Sequence, residues 1–232
     1  SGAGRLMQQE LEALDHALNN SAHPVAAVVG GNKISTKLGV LENLISKVDH
    51  LIVGGAMANT FLYATGVPVG SSLYEENMAV TARNIIDKAK NADCKIHLPV
   101  DAVIASKLSD GSASSIVSIN SIPEKMMVLD VGPGTVDNIE VLLQTCKTLV
   151  WNGPLGAFEV KPFGAGTNAI AKAAARLTLA GKLLTVAGGG DTMSALENAG
   201  VTKNFTYISS AGGAFLEWLE GKILPGVSVL IK

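Results

Sequence analysis

The sequence predicts an α/β fold, a three-layer αβα sandwich on a mostly parallel sheet with a small β-hairpin excursion. Three observations carry that prediction. Short apolar runs alternate with stretches of helical apolar spacing along the 232 residues. Several of those runs end in paired or tripled glycines, as strands do when they turn tightly into a helix. The chain is 47% apolar but only 4% aromatic, so its core volume comes from Ala, Val, Leu and Ile. Such side chains suit a parallel sheet covered on both faces.

The elements follow in order. Leu6, Leu11, Leu14 and Leu18 mark a first helix, and Pro24 to Val29 is a buried strand closed by Gly30-Gly31. Helical spacing returns from Lys33 to Lys47, followed by a strand at His50–Val53 closed by Gly54-Gly55. Helices are predicted at Met57–Tyr63 and Glu75–Asn91. Further strands are predicted at Lys95–Val100, Met126–Asp130, Thr148–Trp151, Leu183–Ala187 and Phe205–Ser209. Helices intervene or follow at Val136–Gln144, Thr167–Leu179, Asp191–Ala199 and Ala211–Leu219. Between Ala102 and Ile122, alternating Val117 and Ile119 beside a Ser-Asp-Gly-Ser turn give the hairpin excursion. The alternation, with its short connections, is Rossmann-like, and ligands of such sheets bind beyond the carboxyl ends of the strands. With no proline-rich linker or repeat, residues 21–232 read as one domain, preceded by the helix in residues 1–20.

Composition excludes several classes of function. A net charge of −2 argues against nucleic acid or an anionic membrane as partner. No apolar run approaches the roughly 18 residues a membrane helix needs. Cys94 and Cys146 form no CxxC pair, and two isolated thiols suit a reducing cytosol, so a cytoplasmic location is expected. Arginine is limited to Arg5, Arg83 and Arg176, too few and too scattered for a multi-arginine clamp on an anionic substrate. His16, His23, His50 and His97 sit in no nucleophile or metal constellation.

The chemistry concentrates in glycine-rich turns. Thr185 to Glu197 runs from an apolar strand through Gly188-Gly189-Gly190 into Asp191, which opens a helix. That arrangement offers bare N–H groups and a helix dipole to an anion, with a carboxylate placed to hold its cation. Glycine before a helix also permits close helix–strand packing, and both readings stand at this point. Gly30 to Lys37 places Lys33 and Lys37 four residues apart on one helical face, where they either bridge a polyphosphate or lie in solvent. The segment is neither a Walker A loop nor GxGxxG, which counts against a dinucleotide-binding dehydrogenase. Trp151 to Glu159 is a strand end and irregular turn, in which Asn152 is a phosphate donor or part of an ordinary Asn-Gly-Pro turn. Gly212-Gly213 opens the last helix, as an N–H cradle or for packing. No Ser–His pair, activated cysteine or evident general base accompanies these turns. Phosphoryl transfer needs none: it needs in-line placement, a metal ion and charge neutralisation.

Taken together these segments resemble the phosphoglycerate kinase family. Gly30-Gly31-Asn32-Lys33-Ile34-Ser35-Thr36-Lys37, continuing through Leu41 to Lys47-Val48-Asp49, is similar to its GGAKVxDKxxVxxxL…KVD segment. Ile52 to Leu62, Val150 to Glu159, Gly188 to Thr192 and Gly212 to Glu217 match in the same order. The similarity runs from about Arg5 to the end and is to the carboxy-terminal, nucleotide-binding half. Nothing corresponds to the arginine-rich amino-terminal domain that binds 3-phosphoglycerate in the family.

The resemblance implies a set of roles. Gly31, Gly54, Gly55, Leu73, Leu129 and Ala157 match positions that wall the adenine cleft, with Pro154 packed nearby. Glu159 matches the ribose-hydroxyl acceptor, and Lys37 and Asn152 match phosphate-chain contacts. Asp191 matches the Mg²⁺ ligand, with Thr192 and the amides of Gly188, Gly189 and Gly190 beside the phosphates. Lys33, Gly190, Gly212 and Gly213 match groups that close on the transferred phosphoryl. Asn32 stands where the family usually has alanine, while Ala56 and Ala211 replace glycines. The expected activity is reversible phosphoryl transfer between 1,3-bisphosphoglycerate and ADP in glycolysis, with Mg²⁺ and ADP or ATP bound. The family is usually monomeric. Alone, this half is expected to bind nucleotide but not turn over, the alternative being a non-catalytic nucleotide-binding module.

Overall fold

A computed structural model of the chain describes residues 14, 17–209 and 212–222. The first strand, β1 (Val25–Val29), is buried at every position. It is followed by α1 (Leu38–Ile45), β2 (His50–Val53), α2 (Gly55–Ala64), α3 (Ala79–Asn91) and β3 (Lys95–His97). Three strands come next: β4 (Asp101–Ala105), β5 (Ser114–Ser118) and β6 (Met127–Val131). The chain continues with α4 (Pro133–Thr145), β7 (Thr148–Asn152), α5 (Ala165–Leu179) and β8 (Leu184–Gly188). It then forms α6 (Gly190–Ala199), β9 (Tyr207–Ser209) and α7 (Gly212–Leu219).

Six strands form a parallel sheet in the order β3-β2-β1-β7-β8-β9. Successive strands run outward from β1 in one direction, and the chain then returns to build outward from β7 in the other. The switch point lies between β1 and β7, where a crevice opens at the carboxyl ends of an open α/β sheet. Alternate residues of β1 serve opposite layers. Val25, Ala27 and Val29 join a core with α1, α2, α3 and α7, while Ala26 and Val28 join one with α4, α5 and α6. Two-sided burial explains why these strands read as continuous apolar runs.

The hairpin excursion is a three-stranded antiparallel sheet in the order β5-β4-β6. Met126–Asp130, predicted within the parallel alternation, is the third strand of this small sheet, at Met127–Val131. The sequence period could not reveal this, because a short apolar run carries no information about its partner. Val131 contributes to the main core while Ala102, Ile104, Ile119 and Ile122 form a separate core with Leu62 and Val69.

Two aspartates fasten the small sheet to the large one. The Asp101 carboxylate, at the start of β4, accepts the Gly134 and Thr135 amides, both at 2.8 Å, and the Thr135 hydroxyl at 2.6 Å. It thus caps α4 from a remote strand, satisfying amides that the helix cannot satisfy itself. Asp130, on β6, does the same for α5 by accepting the Gly166 amide at 2.9 Å. Both helices pack on the main sheet, so the caps set where the small sheet stands beside the crevice.

Other predicted boundaries shift for local reasons. The Lys33–Lys47 helix begins only at Leu38. Ile34 is driven into the core, Thr36 Oγ1 donates to the Lys33 carbonyl, and the Lys37 amide closes a turn on Ile34. The Glu75–Asn91 helix divides into a 3₁₀ turn at Glu76–Met78 and α3. Most of the Leu6–Leu18 helix lies outside the described residues, as does Ala211, but Leu14, Ala17 and Leu18 are helical and buried. His50 and His97 are strand-end residues, and both cysteines are buried free thiols. Among the described residues no helix is long and apolar enough to cross a membrane.

Asp101→Ala leaves two helix-start amides without their acceptor. We predict a loss of about 1–2 kcal/mol in a urea titration and a smaller loss for Asp101→Asn, which keeps one acceptor oxygen. An unchanged midpoint for Asp101→Ala would remove the cap from the account.

Candidate functional site

Where β1 and β7 end, their backbones nearly touch. The Gly30 amide donates to the Asn152 carbonyl at 2.9 Å, and a Cβ on Gly153 would lie 2.3 Å from the Gly30 carbonyl oxygen. Into this junction comes Lys37, turned inward from the loop before α1. Its ammonium donates to the Gly30 carbonyl and to Asn152 Oδ1, both at 2.6 Å. It also approaches the Asn152 carbonyl at a longer 3.5 Å. Burial pushes this ammonium down to about 8, against the opposing pull of Asp191. A lysine desolvated this far is poised to gain stability from an arriving phosphate.

The bonding continues across the sheet. Asn152 Nδ2 donates to the Gly188 carbonyl at 2.8 Å, tying the end of β7 to that of β8. The Gly153 amide donates to Thr192 Oγ1 at 2.7 Å, tying the same turn to α6. Asn152 is 3% exposed and Thr192 is buried, so both act first as struts of the site.

The triple glycine divides into three tasks. A Cβ on Gly188 would fall 2.4 Å from the Phe215 ring, so this glycine lets α7 pack against β8. Gly189 has φ +101°, and a Cβ there would lie 2.8 Å from Asn152 Nδ2, a conformation and a space that only glycine accommodates at low cost. Gly190, exposed, is the first residue of α6, and exposed Asp191 sits in that first turn. A Cβ on Gly212 would lie 3.6 Å from the Gly189 Cα, which places the start of α7 beside the start of α6. Two helix N-termini therefore converge near one carboxylate, with Gly213 open beside them.

On the other side of the switch point lies an open cleft of about 780 Å³, counting the solvent at its mouth. Gly31, Gly55 and Ala56 form one wall, Pro154 and Ala157 another, and Val128 and Leu129 of β6 a third. Leu73 and Leu108 stand at its mouth, 57% and 49% exposed, large apolar side chains left uncovered by the fold. At the floor is Asp130, 1% exposed, whose carboxyl burial pushes up to about 7 against the opposing Gly166, Val131 and Ala165 amides. A Cβ on Gly156 would meet Asp130 Oδ1 at 2.2 Å, so the cap of α5 also supports the Pro154–Ala157 wall. The form is that of a slot for a flat, largely apolar group.

Most of the predicted site residues come together here. Gly31, Gly55, Leu73, Leu129, Pro154 and Ala157 line the cleft, as do Asn32 and Ala56. Lys37, Asn152, Gly188, Gly189, Gly190, Asp191, Thr192, Gly212 and Gly213 gather around the strand ends and helix starts. Gly54 does not line the cleft: it is buried behind it, where a Cβ would strike Leu155 Cδ2 at 2.1 Å. Glu159 is exposed two residues beyond Ala157 and outside the lining. Lys33 is exposed in a turn and shares no helical face with Lys37. Sequence reasoning missed Pro99, Leu108 and Asp130, which the small sheet and its loops bring in from afar. The available signal was Leu108 itself, an isolated apolar residue between Lys107 and Ser109. Asn59 was missed as well: its Nδ2 donates to the Leu73 carbonyl at 3.1 Å and holds the cleft's lip.

Among the described residues no three His, Cys, Asp or Glu side chains cluster to cage a metal. Asp191 alone fits Mg²⁺, which is commonly bound by one or two carboxylates with substrate phosphates and water completing its shell.

Comparison with known proteins agrees with this geometry. A family model described as phosphoglycerate kinase matches residues 1–222. The chain is 57% identical over 230 residues to a phosphoglycerate kinase of Cereibacter sphaeroides (strain ATCC 17029 / ATH 2.4.9), covering 99% of this chain and 58% of the relative. It is 58% identical, with the same coverage, to that of Dinoroseobacter shibae. The structure of phosphoglycerate kinase from Coxiella burnetii superposes with a TM-score of 0.93 at 43% identity, over 97% of this chain and 58% of the other. That from Pyrococcus horikoshii OT3 gives 0.77 at 29%, over 97% and 56%. The chain thus spans somewhat more than half the length of the relatives it matches. With a matching family model over nearly its whole length and the same α/β architecture, the chain belongs to the phosphoglycerate kinase family.

Proposed function

We propose that this chain is the nucleotide-binding half of a phosphoglycerate kinase, holding ADP or ATP with Mg²⁺ for phosphoryl exchange with 1,3-bisphosphoglycerate. The observation that carries the reading is the continuity of the site. An apolar slot leads across the β1–β7 switch point to two helix N-termini and one carboxylate. In this reading the adenine lies between the Gly31–Gly55 wall and Leu73 with Leu129. Glu159 accepts from the ribose, and the phosphates run past Lys37 to the amides of Gly190, Gly212 and Gly213. When bound at Asp191, Mg²⁺ supplies charge neutralisation for the phosphates. Exposed Lys33 would add a positive charge on the side where a phosphoryl group would move.

The arginines support a half-site. Arg176 pairs with Glu140 at 3.2 Å and Arg83 donates to the Ala64 carbonyl at 3.1 Å, so both serve the surface of the fold. Arg5 lies outside the described residues. The basic site for the phosphoglycerate would then reside in the part of the relatives that this chain does not span. Catalysis would require that part to close over the exposed Lys33, Asp191 and Gly213.

Calorimetric titration should show saturable Mg-ADP binding, weakened about tenfold to a hundredfold by Asp191→Ala, while the chain alone shows negligible turnover. Absence of heat at millimolar nucleotide would refute the site, and robust turnover would refute its assignment as a half. A second prediction follows from Lys37. Its proton is half lost near pH 8 in the free protein, whereas adjacent phosphate favours the charged form. Mg-ADP affinity should therefore fall as pH rises through 8, with proton uptake on binding near that pH. Titrations in two buffers of different ionisation enthalpy measure that uptake, and buffer-independent heats would contradict it.

A further inference from the structure

Behind the nucleotide cleft lies a second cavity of about 980 Å³, again counting its open mouth. It occupies the trough between α4 and the edge strand β3. Strand register places Lys95 opposite His50 and His97 opposite Ile52, so Lys95 and His97 face the same layer as Ile52, the layer that α4 covers. Ile139 and Leu142 of α4 form the opposite wall. Pro99, Val131 and Leu155 line both this cavity and the nucleotide cleft and so form the partition between them.

Two features mark it as more than a packing fault. Among the described residues seven large apolar side chains are exposed, and four of them rim these two cavities: Leu73 and Leu108 the first, Val100 and Val141 the second. Val100 is 48% and Val141 64% exposed, at positions where the chain could have placed polar residues without loss to the core. The second feature is charge. Lys95 lines the cavity and has no ion-pair partner among the described residues. His97 beside it is held neutral by burial, at about 4, leaving Lys95 as the cationic group of the lining.

We propose that this cavity is a second binding site, distinct from the nucleotide cleft, for a small amphipathic organic anion. Its apolar or aromatic body would lie against Val100, Ile139 and Leu142, and its carboxylate or sulfonate beside Lys95. The pairing follows the usual composition of such sites, mostly apolar lining with a few placed polar groups that fix orientation. A neutral apolar ligand would leave Lys95 unused, and a polyanion would find a single positive charge and an apolar wall.

The probe is 8-anilinonaphthalene-1-sulfonate, an aromatic sulfonate whose fluorescence rises on transfer to an apolar site. The expected result is saturable, one-to-one enhancement that persists at saturating Mg-ADP. Methyl NMR shifts should appear at Val100 and Val141 and not at Leu73. Lys95→Glu should weaken binding about tenfold or more, and Asn138→Trp, at an exposed position of the cavity wall, should block it. Both variants should keep the parent's urea midpoint, which separates loss of the site from loss of the fold. The proposal is overturned by unsaturable enhancement, by displacement with Mg-ADP, or by two variants that bind like the parent. Failure of Mg-ADP itself to bind would count against the nucleotide reading alone, because the fluorescence and NMR arms do not depend on it.

Discussion

At the place where the sheet changes direction, β1 and β7 run parallel but their continuations diverge to opposite sides. The Gly30 carbonyl and the Asn152 side chain are left facing a crevice with no strand to pair with, while the Asn152 carbonyl is taken by the Gly30 amide. The Lys37 ammonium satisfies the Gly30 carbonyl and Asn152 Oδ1 together, each at 2.6 Å. Each acceptor left unpaired in a buried junction would cost about 1–3 kcal/mol. Because Asn152 is held at one end by Lys37, its other end is oriented to hold Gly188, and the turn that follows it reaches Thr192. One buried charge thereby fixes the relative positions of β1, β7, β8 and the start of α6. The same charge lies on the phosphate path proposed above, so in that reading structure and binding use one residue.

That economy explains the strict spacing around the crevice. Gly153 and Gly30 stand where any side chain would collide with the facing backbone. Two glycines of the 188–190 run are required for different reasons, Gly188 for contact with Phe215 and Gly189 for its backbone conformation against Asn152, while Gly190 stands in open space at the helix start. Packing and anion binding compete as explanations when the run is read as sequence; packing accounts for Gly188 and Gly189 and leaves Gly190 open for the anion contact proposed above. On the far side the logic is similar. Asp130 caps α5 and props the Gly156 turn, so the slot's floor is also a helix's first hydrogen bond.

How much of this was legible in the sequence depended on the range of the interaction. The strands of the main sheet were readable because two-sided burial makes them continuous apolar runs, and the glycine turns marked their carboxyl ends. Gly31, Gly55, Pro154 and Ala157 were legible as cleft positions through their resemblance to family motifs, and they do line one cleft. The helix assigned to Lys33 was not, because Ile34 is pulled inward by a tertiary contact that local spacing cannot express. Met127–Val131 looked like one more parallel strand, since nothing in five residues names an antiparallel neighbour. Asn152 read as either a phosphate donor or part of an ordinary turn; its bonds to Lys37 and Gly188, 115 and 36 residues away, are beyond what the turn's own sequence can express. The capping roles of Asp101 and Asp130 have no local signal, because the amides they accept lie 33 and 36 residues further along the chain.

The central claim is that the switch point is a preorganised nucleotide site. A crystal structure of this chain with Mg-ADP tests it most directly. The account predicts the adenine between the Gly31–Gly55 wall and Leu73, a metal on Asp191, and the Lys37–Asn152–Gly188 hydrogen bonds unchanged. A base bound outside the cleft, or a Lys37–Asn152–Gly188 chain broken and rebuilt to admit the nucleotide, would contradict it.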